Sequence, residues 1–375
     1  MKIFYAVQAT GNGHISRAKE IFPILSKYGE VDIFLSGSNF SLKTDLPIAY
    51  RSKGISLHYD KNNGSVDVMK SIFSVNLKKV WQEALHLPVE KYDLVINDFE
   101  CITSLSCKLK HIPSIHFGHQ ASFMSKNVPR PEKKNIVGEY ILKNYAQGTK
   151  QLGLHFEEYD SNILSPIIKS EILQAEPAEK GHITVYLGHI SDEAIEKQLS
   201  KIRDFRFEVF SGKVTQPFTR ANIQFYPTNP ALFNMSMLNC NGIITGSGFE
   251  TPAEALYLGK SLMVNPMKGQ YEQLCNAEAL KKFNAQILMD WDDTFINTFY
   301  EWMNNKNQSL LKLNHSTEDI IEHLMTLHSD IKIKQKKVLN KDVVSNHQQF
   351  QFWEQTSHQS MPTSSPEYIS VKQAQ

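Results

Sequence analysis

The sequence predicts an α/β protein made of two βα domains, and three observations carry that prediction. Short β-branched and aromatic runs alternate with amphipathic helical patterns through most of the chain, the alternation that builds a parallel sheet with crossover helices. The alternation comes as two successive series, separated by an irregular stretch at 160–181. Each series contains a strand that runs directly into a Gly-rich turn and a helix, the arrangement by which α/β folds offer a helix N-terminus to a ligand.

The first series places strands near 2–7, 31–35, 55–59, 93–97, 113–117 and 152–156, with helices between them. The second runs through 182–187, 205–210, 222–225, 242–245, 261–264 and 285–288. The intervening DSNILSPIIKSEILQAEPAEKG holds two prolines, scattered charges and no sustained period, the composition of a connection. Domains are therefore expected at 1–165 and 182–335, joined by a linker at 166–181. After about residue 336 the chain turns to Gln, Ser, Asn and His, with too few apolar side chains to pack, so 336–375 is expected to be a disordered tail.

Charge and cysteine usage exclude several classes. With 40 Lys and Arg against 39 Asp and Glu, the chain lacks the overall field that holds a polyanion, and nucleic acid is not an expected partner. The apolar run MKIFYAV is too short for a secretory signal, and no stretch reaches the roughly 18 apolar residues of a spanning helix. A cytoplasmic protein is expected. Cys101, Cys107, Cys240 and Cys275 are widely spread without any C-x-x-C spacing, which points to reduced thiols and neither zinc nor disulfides.

In the first turn, Gly11-Asn12-Gly13-His14 follows the first strand and precedes a helix with Ala18, Ile21, Phe22 and Leu25 on one face. The glycines permit a tight turn and close approach to a ligand at the helix mouth. The spacing resembles a dinucleotide fingerprint, but the acid expected about 20 residues on, at the far end of the second strand, is missing: Asp32 begins that strand and Ser36 ends it. His14, at the strand's C-terminal edge, is placed to act as a general base, whereas most of the chain's 14 histidines have no such position. Asp98 and Glu100 follow the strand at 93–97. A carboxylate from there beside His14 would set its tautomer, although Asp98 is also a fitting N-cap for a helix at 100–109. His119 ends the next strand in the same geometry.

In the second turn, Gly246-Ser247-Gly248-Phe249 leads into a helix with Pro252 early and Glu254 one turn in. Backbone N–H groups and the Ser247 hydroxyl would meet a pyrophosphate there, and a carboxylate at Glu254 suits a ribose diol. A strand at 261–264 follows, then a polar loop opening a helix at Gln270-Tyr271-Glu272-Gln273-Leu274-Cys275-Asn276-Ala277.

These residues match a known pattern. The G-x-G-H-x-x-R-A turn, the strand ending N-D-F-E, and the run G-S-G-F-x-T-x-x-E-A-L-x-x-G-K through Q-x-E-Q-x-x-N-A resemble the GT-B glycosyltransferases. The likeness is to the inverting branch that includes the bacterial lipid-linked N-acetylglucosaminyltransferases, over about residues 1–330. That resemblance implies two Rossmann-like βα domains facing across a cleft, with the sugar nucleotide mainly on the second. It gives the donor phosphates to Ser247, Gly248 and Phe249, with Gly188 as a further phosphate turn. It gives the ribose to Glu254, and the donor sugar to Glu272 and Gln273 with Gln270 and Asn276 shaping the loop. His14 would deprotonate the acceptor hydroxyl with Asp98 as partner, while Gly11, Gly13, Glu100 and His119 would lie on the acceptor side. The implied activity is metal-independent, inverting transfer of a hexose or N-acetylhexosamine from a nucleotide sugar, with a UDP-sugar expected and no cofactor. The resemblance leaves the acceptor itself unknown, with a lipid-linked one as in that branch among the expectations. Inversion is favoured because Gly246 stands eight residues before Glu254, where retaining relatives carry a glutamate. One departure is the missing basic residue that many relatives set against the phosphates in the second domain. A sugar-nucleotide epimerase and a non-catalytic sugar-nucleotide-binding protein are the alternatives.

Two further signals compete with this reading. Asp290-Trp291-Asp292-Asp293 has the D-x-D pattern of metal-dependent transferases, yet an acid there also starts the helix that follows. Segment 121–145 sets Phe123 and Met124 beside Lys126, Arg130, Lys133 and Lys134, ahead of a helical face of Ile136, Val137, Tyr140 and Ile141. Such a segment either rests on an anionic membrane, peripherally, or turns its apolar face to the core.

Overall fold

The computed structural model describes residues 1–37, 45–54, 76–305 and 309–335. The strand expected at 55–59 and the tail at 336–375 lie outside the described residues. Residues 1–325 form one compact unit that holds two seven-stranded sheets. Of a second unit, 326–375, residues 326–335 are described and are helical.

The first sheet is built from β1 (Lys2–Gln8), β2 (Glu30–Ser36), β3 (Ile48–Ser52), β4 (Leu94–Asp98), β5 (Ile115–Gly118), β6 (Lys150–Leu154) and β7 (Ile163–Leu164), with helices α1 (Asn12–Leu25), α2 (Leu77–His86), α3 (Cys101–Leu109) and α4 (Ile136–Asn144). Its order is β3-β2-β1-β4-β5-β6-β7, and each neighbouring pair is parallel. Ile3 through Val7 are all at most 1% exposed. A strand covered on both faces must be apolar throughout, which is why KIFYAV lacks alternation.

A short α5 (Ser170–Leu173) leads to the second sheet. That sheet contains β8 (His182–Tyr186), β9 (Arg206–Ser211), β10 (Phe218–Arg220), β11 (Ile223–Pro227), β12 (Gly242–Thr245), β13 (Ser261–Val264) and β14 (Gln286–Ile287). Helices α6 (Asp192–Leu199), α7 (Pro230–Asn239), α8 (Glu250–Tyr257), α9 (Tyr271–Leu280) and α10 (Phe295–Asn304) accompany it. The order is β10-β11-β9-β8-β12-β13-β14, parallel except for the β10–β11 pair. One face packs Ile183, Val185, Phe207, Val209 and Phe225 against Ile195 and Leu199 of α6 and Phe299 of α10.

Three strands were not read from the sequence: 48–52, 163–164 and 218–220. All are edge or near-edge pieces of two to five residues, too short to show a period. The stretch expected as a linker is packed in its first part, with Ile167, Ile168 and Ile172 buried, and is exposed over 176–181. Ile167, Ile168 and Ile172 are interrupted by polar residues, which hides their burial in the pattern.

Both sheets reverse their strand order beside their first strand. The chain steps from β1 outward to β3 and returns to place β4 on the other side of β1; β8 and β12 repeat the arrangement. Open α/β sheets bind ligands at the carboxyl ends of the strands flanking such a reversal. His14 and Asp98 sit there in the first sheet, and Gly188, Ser247 and Gly248 sit there in the second.

Candidate active site

β1 leads into an extended Gly11, and α1 begins at Asn12 with no side-chain cap at its N-terminus. Val7 pairs in register with Asp98, which brings the end of β4 under the first turn of α1. The Asp98 carboxylate is fully buried, and its Oδ1 lies 2.8 Å from His14 Nδ1. Arg17, one helical turn beyond His14, donates to the same carboxylate from Nη2 at 2.7 Å and 2.9 Å and from Nε at 3.1 Å. Tyr5 donates its hydroxyl to Asp98 Oδ2 at 3.3 Å.

Burial alone would raise the Asp98 pKa, but the charges of Arg17 and His14 outweigh it and hold the carboxyl well below the usual range. A carboxylate kept ionised can only accept, so the short contact suits the tautomer with the proton on Nδ1, although Arg17 Nη2 also lies 2.9 Å from that nitrogen. The Nε2 lone pair is then available as a base. Gly118, at the end of β5, has φ +106°, and a Cβ there would come within 2.8 Å of Asp98 Oδ1 and 3.1 Å of Arg17 Nη2. Only glycine combines that backbone with that proximity.

Phe99 has φ +55°, a left-handed conformation that bulky residues seldom take. It turns the chain between two neighbouring acids. Asp98 points to α1, whereas Glu100 turns back and accepts from the N–H groups of Ile102 at 2.9 Å and Thr103 at 2.6 Å.

On the second sheet, β12 ends at Thr245 and α8 starts at Glu250, with Phe249 as an N-cap that supplies no side-chain hydrogen bond. A methyl group placed on Gly11, Gly188 or Gly248 would meet no atom within 4 Å, so space lies over all three turns. The two sheets meet around this space. Arg17 Nη1 donates to Glu250, His119 stacks on Phe249 with ring centroids 4.0 Å apart, and His119 Nε2 lies 2.8 Å from Asn276 Oδ1. Gln120 donates to Glu272 at 3.1 Å. The carboxyl edges of the two sheets therefore face each other across a cleft.

A family model described as glycosyl transferase family 1 matches residues 1–304 of the 375. The chain belongs to glycosyl transferase family 1. It is a glycosyltransferase of the GT-B fold. The crystal structure of the kitacinnamycin glycosyltransferase is similar, with a TM-score of 0.52 and 14% identity over 81% of this chain and 91% of that one. MurG of Acinetobacter baumannii gives a TM-score of 0.50 and 14% identity over 88% of this chain and 100% of its own. The Arabidopsis thaliana UGT89C1, solved with UDP, gives 0.51 and 12% over 87% and 99%. At such identities these likenesses concern the fold. A comparison with curated proteins finds no match.

In this glycosyltransferase several expected site residues are already engaged. Ser247 is fully buried and donates its hydroxyl to the Gln273 carbonyl at 2.8 Å, so its side chain is not turned to a phosphate. Gln273 accepts from the Met267 N–H at 2.9 Å and donates to Gln270 at 2.6 Å. It braces the loop with Gln270, and a sugar contact through its amide would need those bonds to break. Phe249 spends its ring on His119 and Phe156. Glu100 is a helix cap within the first layer, not an acceptor-side carboxylate, and it holds the capping role also weighed for Asp98. Asn276 donates to the Ser247 carbonyl at 3.0 Å.

Glu254 is 2% exposed and accepts from Lys169 Nζ at 3.1 Å. Burial, opposed by Lys169, raises its pKa to about 7. His119 is buried, which lowers its pKa, with Glu272 at 3.8 Å pulling the other way. Arg17, Glu250 and Lys169 received no role from the sequence. Arg17 could have been noticed, since it lies three residues after His14 on the same helical face. Glu250 reads as an ordinary acid in a first helical turn.

The D-x-D pattern is dispersed. Asp290 pairs with Lys268 and Asp293 with Lys201, both at 2.7 Å, and Asp292 accepts from the Thr294 hydroxyl and N–H. Among the described residues no group of three or more His, Cys, Asp or Glu is placed to hold a metal ion. No described helix is long and apolar enough to cross a membrane. In segment 121–145, Phe123 is buried and Arg130 is tied to Glu139 and backbone carbonyls, but Ile136, Val137 and Tyr140 are 85%, 52% and 67% exposed. Of the two alternatives, Ile136, Val137 and Tyr140 do not face the core, whereas Leu142 of the same helix does, and Gly138 sits so close to Tyr271 that a Cβ there would strike it. A cavity of about 530 Å³ on the second sheet, lined among others by His182, Arg206, Tyr226 and Met235, contains none of the cleft residues.

Proposed function

We propose that this glycosyltransferase moves a hexose or N-acetylhexosamine from a nucleotide sugar, with a UDP-sugar the first donor to test, to an acceptor hydroxyl with inversion and without a metal ion. The carrying observation is the 2.8 Å contact between His14 Nδ1 and Asp98 at the edge of the first sheet, opposite the uncapped start of α8. His14 Nε2 takes the acceptor proton as the oxygen attacks the anomeric carbon, and Asp98 steadies the imidazolium that forms. The nucleoside diphosphate leaves from the opposite face, its charge met by N–H groups at the start of α8. Glu254 is the ribose ligand in this reading, after exchange of its Lys169 contact, and Glu272 meets a donor sugar hydroxyl.

Incubation with UDP-, GDP- and dTDP-sugars and an alcohol acceptor tests this. Diphosphate release with a β-linked product from an α-linked donor is expected, and activity should persist in EDTA. Interconversion of the sugar without transfer would make the protein an epimerase, and binding alone a sugar-nucleotide module. In Glu254→Ala the donor KM should rise, while His14→Ala should lower kcat and leave donor affinity nearly intact.

The exposed stripe of α4 supports a peripheral membrane contact and hence a lipid-linked acceptor. Lys133 and Lys134 are exposed beside Ile136, Val137 and Tyr140, pairing apolar side chains with charges that suit anionic headgroups. Flotation with vesicles of phosphatidylglycerol should carry the protein upward at low salt and release it at high salt. Ile136→Ser/Tyr140→Ser should abolish flotation, and equal flotation of that variant would end the membrane reading.

A further inference from the structure

An acid stands where a diphosphate is expected. Glu250 is the first residue of α8, directly after the Gly246–Gly248 turn. Its carboxylate leaves that helix and lies against the first Gly-rich turn, where it takes Nη1 of Arg17. It covers Gly13 so closely that a Cβ there would strike it. Three features make this place suited to an anion: an arginine whose side chain is only 2% exposed, the start of a 14-residue helix with no side-chain cap, and a glycine that admits close approach. Nε and Nη2 of Arg17 are committed to Asp98, with Nη2 also 2.9 Å from His14 Nδ1, so Nη1 is the edge that meets a second anion. The Glu250 side chain is 22% exposed and Asp98 fully buried, so only Glu250 has a route to water.

Resting on the reading that a nucleotide sugar binds in this cleft, we propose that the Glu250 carboxylate is a built-in substitute for a donor phosphate. A phosphate oxygen of the nucleoside diphosphate takes the Nη1 edge of Arg17 and the space over Gly13, and Glu250 swings out to water. Arg17, contributed by the first sheet's layer, is then the cation that the second sheet's phosphate turn lacks. Exchanging one anion for another leaves the buried guanidinium paired on both sides, so its desolvation is not incurred again, and phosphate is a strong partner for a guanidinium edge. The same residue stays on Asp98 throughout, so donor binding does not disturb the base. The competition has a measurable signature. Ligand affinity is reduced by the fraction of molecules in which Glu250 holds the site.

Calorimetric titration of UDP, GDP and dTDP, each beside its nucleoside, against the wild type, Glu250→Gln and Arg17→Gln/Glu250→Gln tests the exchange. Thermal melts check that each variant is folded. Glu250→Gln should bind the preferred diphosphate about tenfold more tightly, a gain of roughly 1.4 kcal/mol, and its nucleoside no differently. The double variant should lose that gain. Unchanged or weaker diphosphate binding by Glu250→Gln, or an equal gain for the nucleoside, overturns the exchange. So does a double variant that binds as tightly as Glu250→Gln, because Glu250 would then only repel phosphate from α8. Should no diphosphate bind to any form, the donor reading falls and this inference with it; binding without a Glu250 effect removes the inference alone.

Discussion

His14 and Asp98 are 84 residues apart in the chain and 2.8 Å apart in space, and their pairing depends on a third residue, Arg17. Arg17 holds both oxygens of Asp98, which keeps the carboxylate ionised and able to accept from His14 Nδ1. Asp98→Asn preserves shape but removes the charge that favours the imidazolium. It should lower kcat by about 10² to 10⁴-fold, with donor affinity unchanged. His14→Ala should fall in the same range, and the double variant should be little worse than either, since the two act as a unit. Multiplicative losses in single-turnover measurements would mean that they act separately.

At the scale of elements, helix termini decide which acids serve the site. Glu100 and Asp98 are two residues apart, and Phe99 in its left-handed conformation sends them in opposite directions. Glu100 satisfies two N–H groups of α3. Its replacement by Ala should cost about 1–2 kcal/mol, read as a lowered melting temperature, while kcat of the folded enzyme stays unchanged. A loss of kcat without a stability change would return Glu100 to the active site. α4 is the other element whose role is decided by its packing. Its composition permits either a core-facing or a surface stripe, and in the fold Leu142 packs into the core with Tyr271 while Ile136, Val137 and Tyr140 are exposed. Periodicity shows that a helix has an apolar face but does not show which neighbour the helix meets, so this outcome was not legible in the sequence.

For the whole molecule, the joining of the two layers carries a pH dependence. Glu254 on α8 is buried against Lys169, from the segment between the sheets, and burial raises its pKa from the ordinary 4.5 to about 7. A group whose pKa is higher folded than unfolded contributes stability in full below the unfolded value and loses it as pH rises through the folded one. Stability from this residue should therefore decline between about pH 4.5 and 7, by roughly 3 kcal/mol at most. Denaturant titrations at pH 5 and pH 8 should show a smaller difference in Glu254→Gln than in the wild type. An identical difference in the two proteins would show that Glu254 is ionised at both pH values.

Much of this architecture was legible because it is local. The buried strands of both sheets and the two Gly-rich turns follow from composition and spacing, since a strand covered on both faces must be apolar and a helix mouth needs small residues before it. The family resemblance rested on the same local runs, and the match over residues 1–304 agrees with it. What only the tertiary structure decided is which way each side chain turns. Ser247 points inward to a carbonyl, Gln273 braces its own loop, Glu100 caps a helix, and Arg17 reaches Glu250 across 233 residues of sequence. Orientation depends on partners brought by other parts of the chain, and hydrogen-bond demand in a buried site is settled only when those partners arrive. The sequence by itself therefore determined the fold class and the two turns that face the cleft. Packing decided which partner each buried acid and cation meets.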